Sequence, residues 1–253
     1  MILGWDISGE IIEIGDGVTD FKIGDDVFGM INFVGHGKTY AEYVAAPANQ
    51  LALKPKSISH AEAAASTMAA LTAWQAFDHY GKLRENDKLL VHAAAGGVGH
   101  FAVQIAKYKK AEVFATSSPA NKDFVMSLGA DHHINYKSVA FENELKDIDF
   151  VLETIGSDNF IKSVKVLKPY GTLVALPSGF TKEDEQAVLD KHLHGSNFMS
   201  VFSSGYDMKI IAELLEKLII KPYISKVFAF DEIALAHQQI ESGRTTGKIV
   251  VEL

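Results

Sequence analysis

The chain has 253 residues, 47% of them hydrophobic, and a formal net charge of −8. That is enough apolar material for one large domain or two modest ones, and its scattered basic residues offer no electrostatic footprint for nucleic acid or an anionic membrane. There is no cysteine, which excludes disulfides, thiolate nucleophiles and every zinc site that needs sulfur ligands.

The first residues lack a basic segment followed by a long apolar run, and no apolar run reaches the roughly 18 residues that span a bilayer. A soluble, cytoplasmic chain is expected. From Ile2 to Leu53 short apolar runs at 11–14, 27–30 and 40–45 are punctuated by glycines, which predicts a β-rich part. After Pro55, Ser59 is placed to cap an alanine-rich helix, and a second apolar stretch runs through 71–80. From Lys88 onward, strand candidates at 88–92, 112–116, 132–135, 149–152 and 171–176 are each separated by the length of one crossover helix. This alternation predicts an α/β fold with a doubly wound parallel sheet. A further strand is expected at 197–202, then an amphipathic helix at 207–218 that closes the sheet. A strand at 227–230, a helix at 231–242 and a strand at 248–253 are expected to rejoin the β-rich part.

The sharpest motif is Leu89-Leu90-Val91-His92-Ala93-Ala94-Ala95-Gly96-Gly97-Val98-Gly99, a strand running into a turn and then a helix at 100–109. It reads as a dinucleotide fingerprint with Ala94 in the first glycine slot. Gly96 lets backbone approach a pyrophosphate, Gly99 permits close packing of helix on strand, and the helix tip offers N–H groups and partial positive charge. The end of the next strand decides which dinucleotide binds. A carboxylate there would take the ribose hydroxyls and repel a 2′-phosphate, but the chain reads Ala115-Thr116-Ser117-Ser118-Pro119-Ala120-Asn121-Lys122. Hydroxyls followed by a cation on the first turn of the next helix favour NADPH, with Tyr136 placed to flank the same phosphate.

These residues are similar to a known family. Asn86-Asp87, Leu90, the 94–99 turn, Gln104 and Lys107 fall at the spacing of the quinone oxidoreductase and zeta-crystallin signature. Gly4-Trp5-Asp6-Ile7-Ser8-Gly9, the stretches 18–25 and 39–44, Leu71-Thr72-Ala73-Trp74 and Gly247-Lys248-Ile249-Val250 look like further segments of it in the same order. The chain thus resembles, over essentially its whole length, the zinc-independent quinone oxidoreductases of the medium-chain dehydrogenase/reductase type. The resemblance implies a Rossmann domain binding NADP(H) at 57–218 and a partial GroES-like, β-rich substrate domain at 1–56 plus 219–253. It carries cofactor contacts onto Thr72, Gly97, Val98, Ser117, Ser118, Lys122 and Tyr136, with Thr154, Ser178 and Lys248 on loops near the nicotinamide. Family members usually begin several dozen residues earlier, so the GroES-like part is expected to be N-terminally incomplete.

Zinc-dependent relatives carry Gly-His-Glu where this chain has Gly4-Trp5-Asp6. Without a Lewis acid to hold an alkoxide, hydride transfer to a quinone or an α,β-unsaturated carbonyl is the expected reaction. No general acid is singled out, because the proton can come from water or a ribose hydroxyl. The alternative is a non-catalytic NADPH-binding protein, a sensor or crystallin-like, or an inactive fragment. The resemblance also implies a homodimer or homotetramer joined through the edge strand of the cofactor sheet, for which 197–202 is apolar enough. His132-His133 and His192-x-His194 are set aside as metal ligands, since neighbours on a strand face opposite ways. Ser8, Ser66 and Ser178 lack the Gly-x-Ser-x-Gly elbow of a serine hydrolase.

Overall fold

The computed structural model describes residues 2–176, 180–196 and 198–253. The chain forms two compact units, Met1–Thr72 with Val201–Leu253, and Ala73–Ser200. In chain order the elements begin with β1 (Asp6–Glu10), β2 (Asp26–Met30), β3 (Ala52–Leu53), α1 (His60–Ala65) and α2 (Met68–Gln75). Then come β4 (Lys88–Val91), α3 (Gly99–Tyr108), β5 (Glu112–Ser117), α4 (Lys122–Ser127), β6 (His132–Asn135), α5 (Phe141–Glu144) and β7 (Ile148–Glu153). The rest are α6 (Asp158–Val166), β8 (Leu167–Ala175), α7 (Lys182–Asp190), β9 (His194–Ser196), α8 (Gly205–Glu216), β10 (Ile224–Ala229), α9 (Ile233–Glu241) and β11 (Lys248–Glu252).

In the second unit six strands lie in the order β6-β5-β4-β7-β8-β9, every pair parallel. The winding starts at β4, moves out through β5 and β6, then returns to β7 on the other side of β4. The reversal between β4 and β7 opens a crevice at the strand ends, the position at which such sheets bind ligands. A sheet covered on both faces needs strands apolar throughout, and Leu89, Leu90, Val91, Phe150, Val151 and Leu152 are all buried. On one face Leu90, Val151 and Leu173 pack with Phe160 and Val164. On the same sheet, Phe150 meets the Phe77 ring edge-on at 5.5 Å. Each such side chain contributes about 1.5–3 kcal/mol by leaving water.

The first unit holds an antiparallel sheet β1-β2-β3 over a small core of Val27, Ile31 and Leu51. The pairing runs from Asp6 opposite Met30 to Glu10 opposite Asp26. Two more bonds, Ile11 N to Asp25 O at 2.9 Å and Gly24 N to Ile11 O at 2.8 Å, extend it before the chain turns. The apolar runs at 11–14 and 40–45 are therefore not strands, because each lies in irregular chain beyond the ladder. Ser59 caps α1 as expected, within a box in which its hydroxyl accepts from Glu62 N at 3.2 Å while the Glu62 carboxylate accepts from Ser59 N at 2.8 Å. The tail pairs β10 with β11 in parallel and rejoins the N-terminal part through α1, which packs on β1, β2, β10 and β11.

By contact, 57–72 and 201–218 group with the first unit. Two details depart from the sequence reading. Helix α8 lies against β2, β3 and the turn Ala48–Gln50, since helical periodicity marks an apolar face without naming its partner. The edge strand is β9, pairing Thr172 with His194 and Val174 with Ser196, and not 197–202. Asn197 lies outside the described residues. The stretch 198–202 is held by single bonds, Met199 N to Ala175 O at 2.7 Å and Tyr80 Oη to Ser200 O at 2.9 Å, rather than by a ladder.

Candidate functional site

Strand β4 delivers the chain to His92, and the turn 93–98 returns it into α3. Ala94 N donates to Thr116 O at 2.9 Å and Gly96 N to Ala93 O at 2.8 Å, which pins the turn between two strand ends. A Cβ at Gly99 would overlap the Ala93 carbonyl and stand 2.7 Å from Ala94 Cα, so only glycine allows the helix to start there. At Gly96 a Cβ would come within 3.1 Å of the Ala93 oxygen. The left-handed residue is neither glycine but Ala93, with φ 45. Val98 makes no side-chain cap to α3, a ten-residue helix whose backbone bonding begins with His100 N to Gly96 O at 3.1 Å and Ala102 N to Val98 O at 2.9 Å, so the tip it offers is the stretch before His100. Gly96, Gly97, Val98 and Gly99 therefore form a backbone cradle beside the crevice, and its chemistry fits a pyrophosphate.

At the end of β5 the site is made of side chains. The Ser117 hydroxyl, nearly buried, lies 3.1 Å from Ser118 O and 2.9 Å from His133 Nε2. Lys122 opens α4 and acts electrostatically on His133. Burial pushes the His133 imidazole below its ordinary pKa, the Lys122 charge pushes the same way, and a bond to the Ser118 backbone opposes both. Tyr136 follows β6 and is 57% exposed, one residue beyond Asn135, which pairs with Ser117. Ser117, Ser118 and Lys122 are thus brought together. His133 is the residue the sequence reading missed, because it was weighed only as half of a metal pair. The neighbouring His132 faces the other way, bonded to Glu112 at 2.9 Å.

Beneath the turn runs a buried polar network. The Glu153 carboxylate accepts from Ile155 N at 2.6 Å, Gly156 N at 3.0 Å, Asn159 Nδ2 at 2.7 Å and Ser163 Oγ at 2.6 Å. His92 joins Thr116 Oγ1 at 3.2 Å to Ser163 Oγ at 3.0 Å. Burial holds this imidazole below its ordinary pKa against the opposing pull of Glu153. The network moulds the loop after β7, and Thr154 Oγ1 donates to His92 O at 3.0 Å, which places Thr154 beside the turn. Neither His92 nor Glu153 carried a sequence signal beyond being polar within apolar strands.

Two expected contacts belong to the first unit. Thr72 is buried in α2 with its hydroxyl donating to Met68 O at 2.7 Å, and Lys248 opens β11. Ser178 lies outside the described residues. A zinc site does not fit the donor set. Trp5 Nε1 is committed to Gly35 O at 2.9 Å, Asp6 Oδ1 to Met68 N at 3.1 Å, and among the described residues no three His, Asp or Glu side chains group as metal ligands. The Ser8 hydroxyl does meet His60 Nδ1 at 2.8 Å, with Asp26 3.4 Å from the other ring nitrogen. Ser8 sits mid-strand opposite Phe28, and Asp26 is also 3.6 Å from Lys54. Nearly half of His60 and of Asp26 is exposed, the setting of a surface ion pair rather than a buried relay.

Family comparisons agree with this architecture. The model of the alcohol dehydrogenase GroES-like domain matches residues 1–56, and that of the zinc-binding dehydrogenases matches 128–251. The bovine mitochondrial NAD(P)H oxidoreductase RTN4IP1 is 34% identical across 100% of this chain and 70% of its own length. The chain belongs to the medium-chain dehydrogenase/reductase family, among its quinone oxidoreductase-like members. Within that family, the chloroplastic NADPH-dependent alkenal/one oxidoreductase of Arabidopsis thaliana is 33% identical over 98% of this chain and 63% of its own length. The solved quinone oxidoreductase of Coxiella burnetii superposes with a TM-score of 0.92 at 34% identity, covering 99% of this chain and 79% of that one.

Proposed function

We propose that the protein is an NADPH-dependent oxidoreductase that reduces quinones or α,β-unsaturated carbonyls without zinc. The observation that carries the reading is the pairing of two adjacent strand ends. At β4 a backbone cradle suits a pyrophosphate, and at β5 two hydroxyls and a lysine stand where a carboxylate would select NADH. Gly96, Gly97, Val98 and Gly99 hold the pyrophosphate, while Ser117, Ser118, Lys122 and Tyr136 hold the 2′-phosphate. Thr154 lines the loop after β7, and Thr72, Ser178 and Lys248 are assigned to the nicotinamide end by family resemblance. When bound, NADPH supplies the hydride. The chain's own residues bind and orient it.

Relatives bearing quinone and alkenal reductase names support the substrate class. The test is NADPH oxidation followed with a panel of enones, enals and quinones. Turnover of at least one class is expected, and tight NADPH binding without turnover of any would identify a binding protein instead. The same reading carries a cytoplasmic location and a homodimer or homotetramer joined through β9. Cell fractionation and sedimentation check those two points. No described helix is long and apolar enough to cross a membrane.

A further inference from the structure

On the reading that NADPH binds at the ends of β4 and β5, we infer that His133 is a third member of the 2′-phosphate site and takes up a proton from solvent when that phosphate binds. The Ser117 hydroxyl lies between Ser118 O at 3.1 Å and His133 Nε2 at 2.9 Å. It has one proton, and to give that proton to a phosphate oxygen its own oxygen must accept from the imidazole. In a neutral imidazole Nε2 donates to or accepts from the Ser117 hydroxyl according to the tautomer, whereas in an imidazolium it can only donate. Protonated His133 therefore leaves the Ser117 proton free to turn toward the phosphate.

Electrostatics point the same way. From α4, Lys122 is the charge that acts on His133; from β5 come the neutral Ser117 and Ser118. On its own strand, His132 turns away to Glu112, while Asp131 is taken by Lys107 at 2.7 Å and Val113 N at 2.7 Å. Tyr136 and Lys137 follow on the exposed chain after β6. Without ligand, burial and Lys122 keep the imidazole below its ordinary 6.5. A phosphate monoester, whose second ionisation lies near about pH 6, brings the anionic partner this histidine lacks and raises its pKa. Below the free value His133 is charged with or without ligand, so its contribution is complete and affinity does not change with pH through it. Between the free and bound values binding takes up a proton, so affinity for NADPH falls as pH rises, by up to about tenfold per pH unit. Above the bound value the contribution is gone.

The test titrates the intact chain with NADPH and with NADH from about pH 5.5 to about 8.5, the range in which a histidine changes charge, for the parent, His133→Gln and His133→Lys. Calorimetry in two buffers of different ionisation enthalpy counts protons. The parent is expected to take up protons with NADPH and not with NADH. Its preference for NADPH should fall by about tenfold across the range relative to His133→Gln. The phosphate's own titration is common to all three proteins and cancels. His133→Lys, permanently charged, should keep the preference and lose this pH dependence, which keeps the test open if His133→Gln folds poorly. If the parent prefers NADPH but all three share one pH profile, the role of His133 is refuted and the NADPH reading stands. If the parent shows no preference for NADPH at any pH, both fall together.

Discussion

At the end of β4 the chain offers backbone: a turn without side-chain donors, a helix tip, and a Gly99 into which no Cβ fits. At the end of β5, one strand away, it offers side chains: Ser117, Ser118, Lys122 and His133. Every dinucleotide has a pyrophosphate, so the part that reads it can be fixed in the main chain. The 2′-phosphate distinguishes one cofactor from another, and the part proposed to read it is built from groups that single substitutions can change. The two ends should therefore fail differently, the first with loss of fold and of both cofactors, the second with loss of preference alone.

Gly99→Ala is expected to be the most severe change. Its Cβ meets the backbone of Ala93 and Ala94, which cannot move aside as a flexible side chain would. Overpacking there should cost about 3 kcal/mol and weaken NADPH and NADH alike, read by urea denaturation and by titration. Glu153→Gln comes next. It replaces an acceptor of four hydrogen bonds with a group that must present an amide to donors. A loss of about 2 kcal/mol is expected, with both cofactors affected equally because the loop after β7 is disturbed. Lys122→Ala should sharpen the comparison from the other side, weakening NADPH by about tenfold, as loss of a charged hydrogen bond does, while NADH and stability stay nearly unchanged. Equal losses for the two cofactors would remove the basis for the phosphate site. Smallest, Ser59→Ala removes the α1 cap in the other unit and should cost about 1 kcal/mol without touching either affinity.

Much of the second unit was legible because its signals are local. Apolar strand runs, crossover lengths and the 94–99 turn each constrain a few consecutive residues, and all of them point to one topology. The first unit was read less well. The apolar runs at 11–14 and 40–45 have strand composition, but strands need a partner, and the β1–β2 pairing ends near Ile11. The β9 edge was misplaced for the same reason, since Phe198 and Phe202 look like strand residues yet are half exposed in irregular chain. At the site, sequence gave Ser117 and Lys122 because they follow a strand end. It could not give His133 or the His92–Glu153 network, whose partners lie on other strands and are joined only by folding. Left-handed Ala93 was invisible as well, because that conformation is ordinarily read from glycine.

The most direct measurement is a calorimetric titration of the intact chain at neutral pH with NADPH and, separately, NADH. The account predicts saturable binding of NADPH at least about tenfold tighter than that of NADH, the worth of one charged hydrogen bond to the 2′-phosphate. No heat with NADPH, or equal affinity for the two, would contradict it.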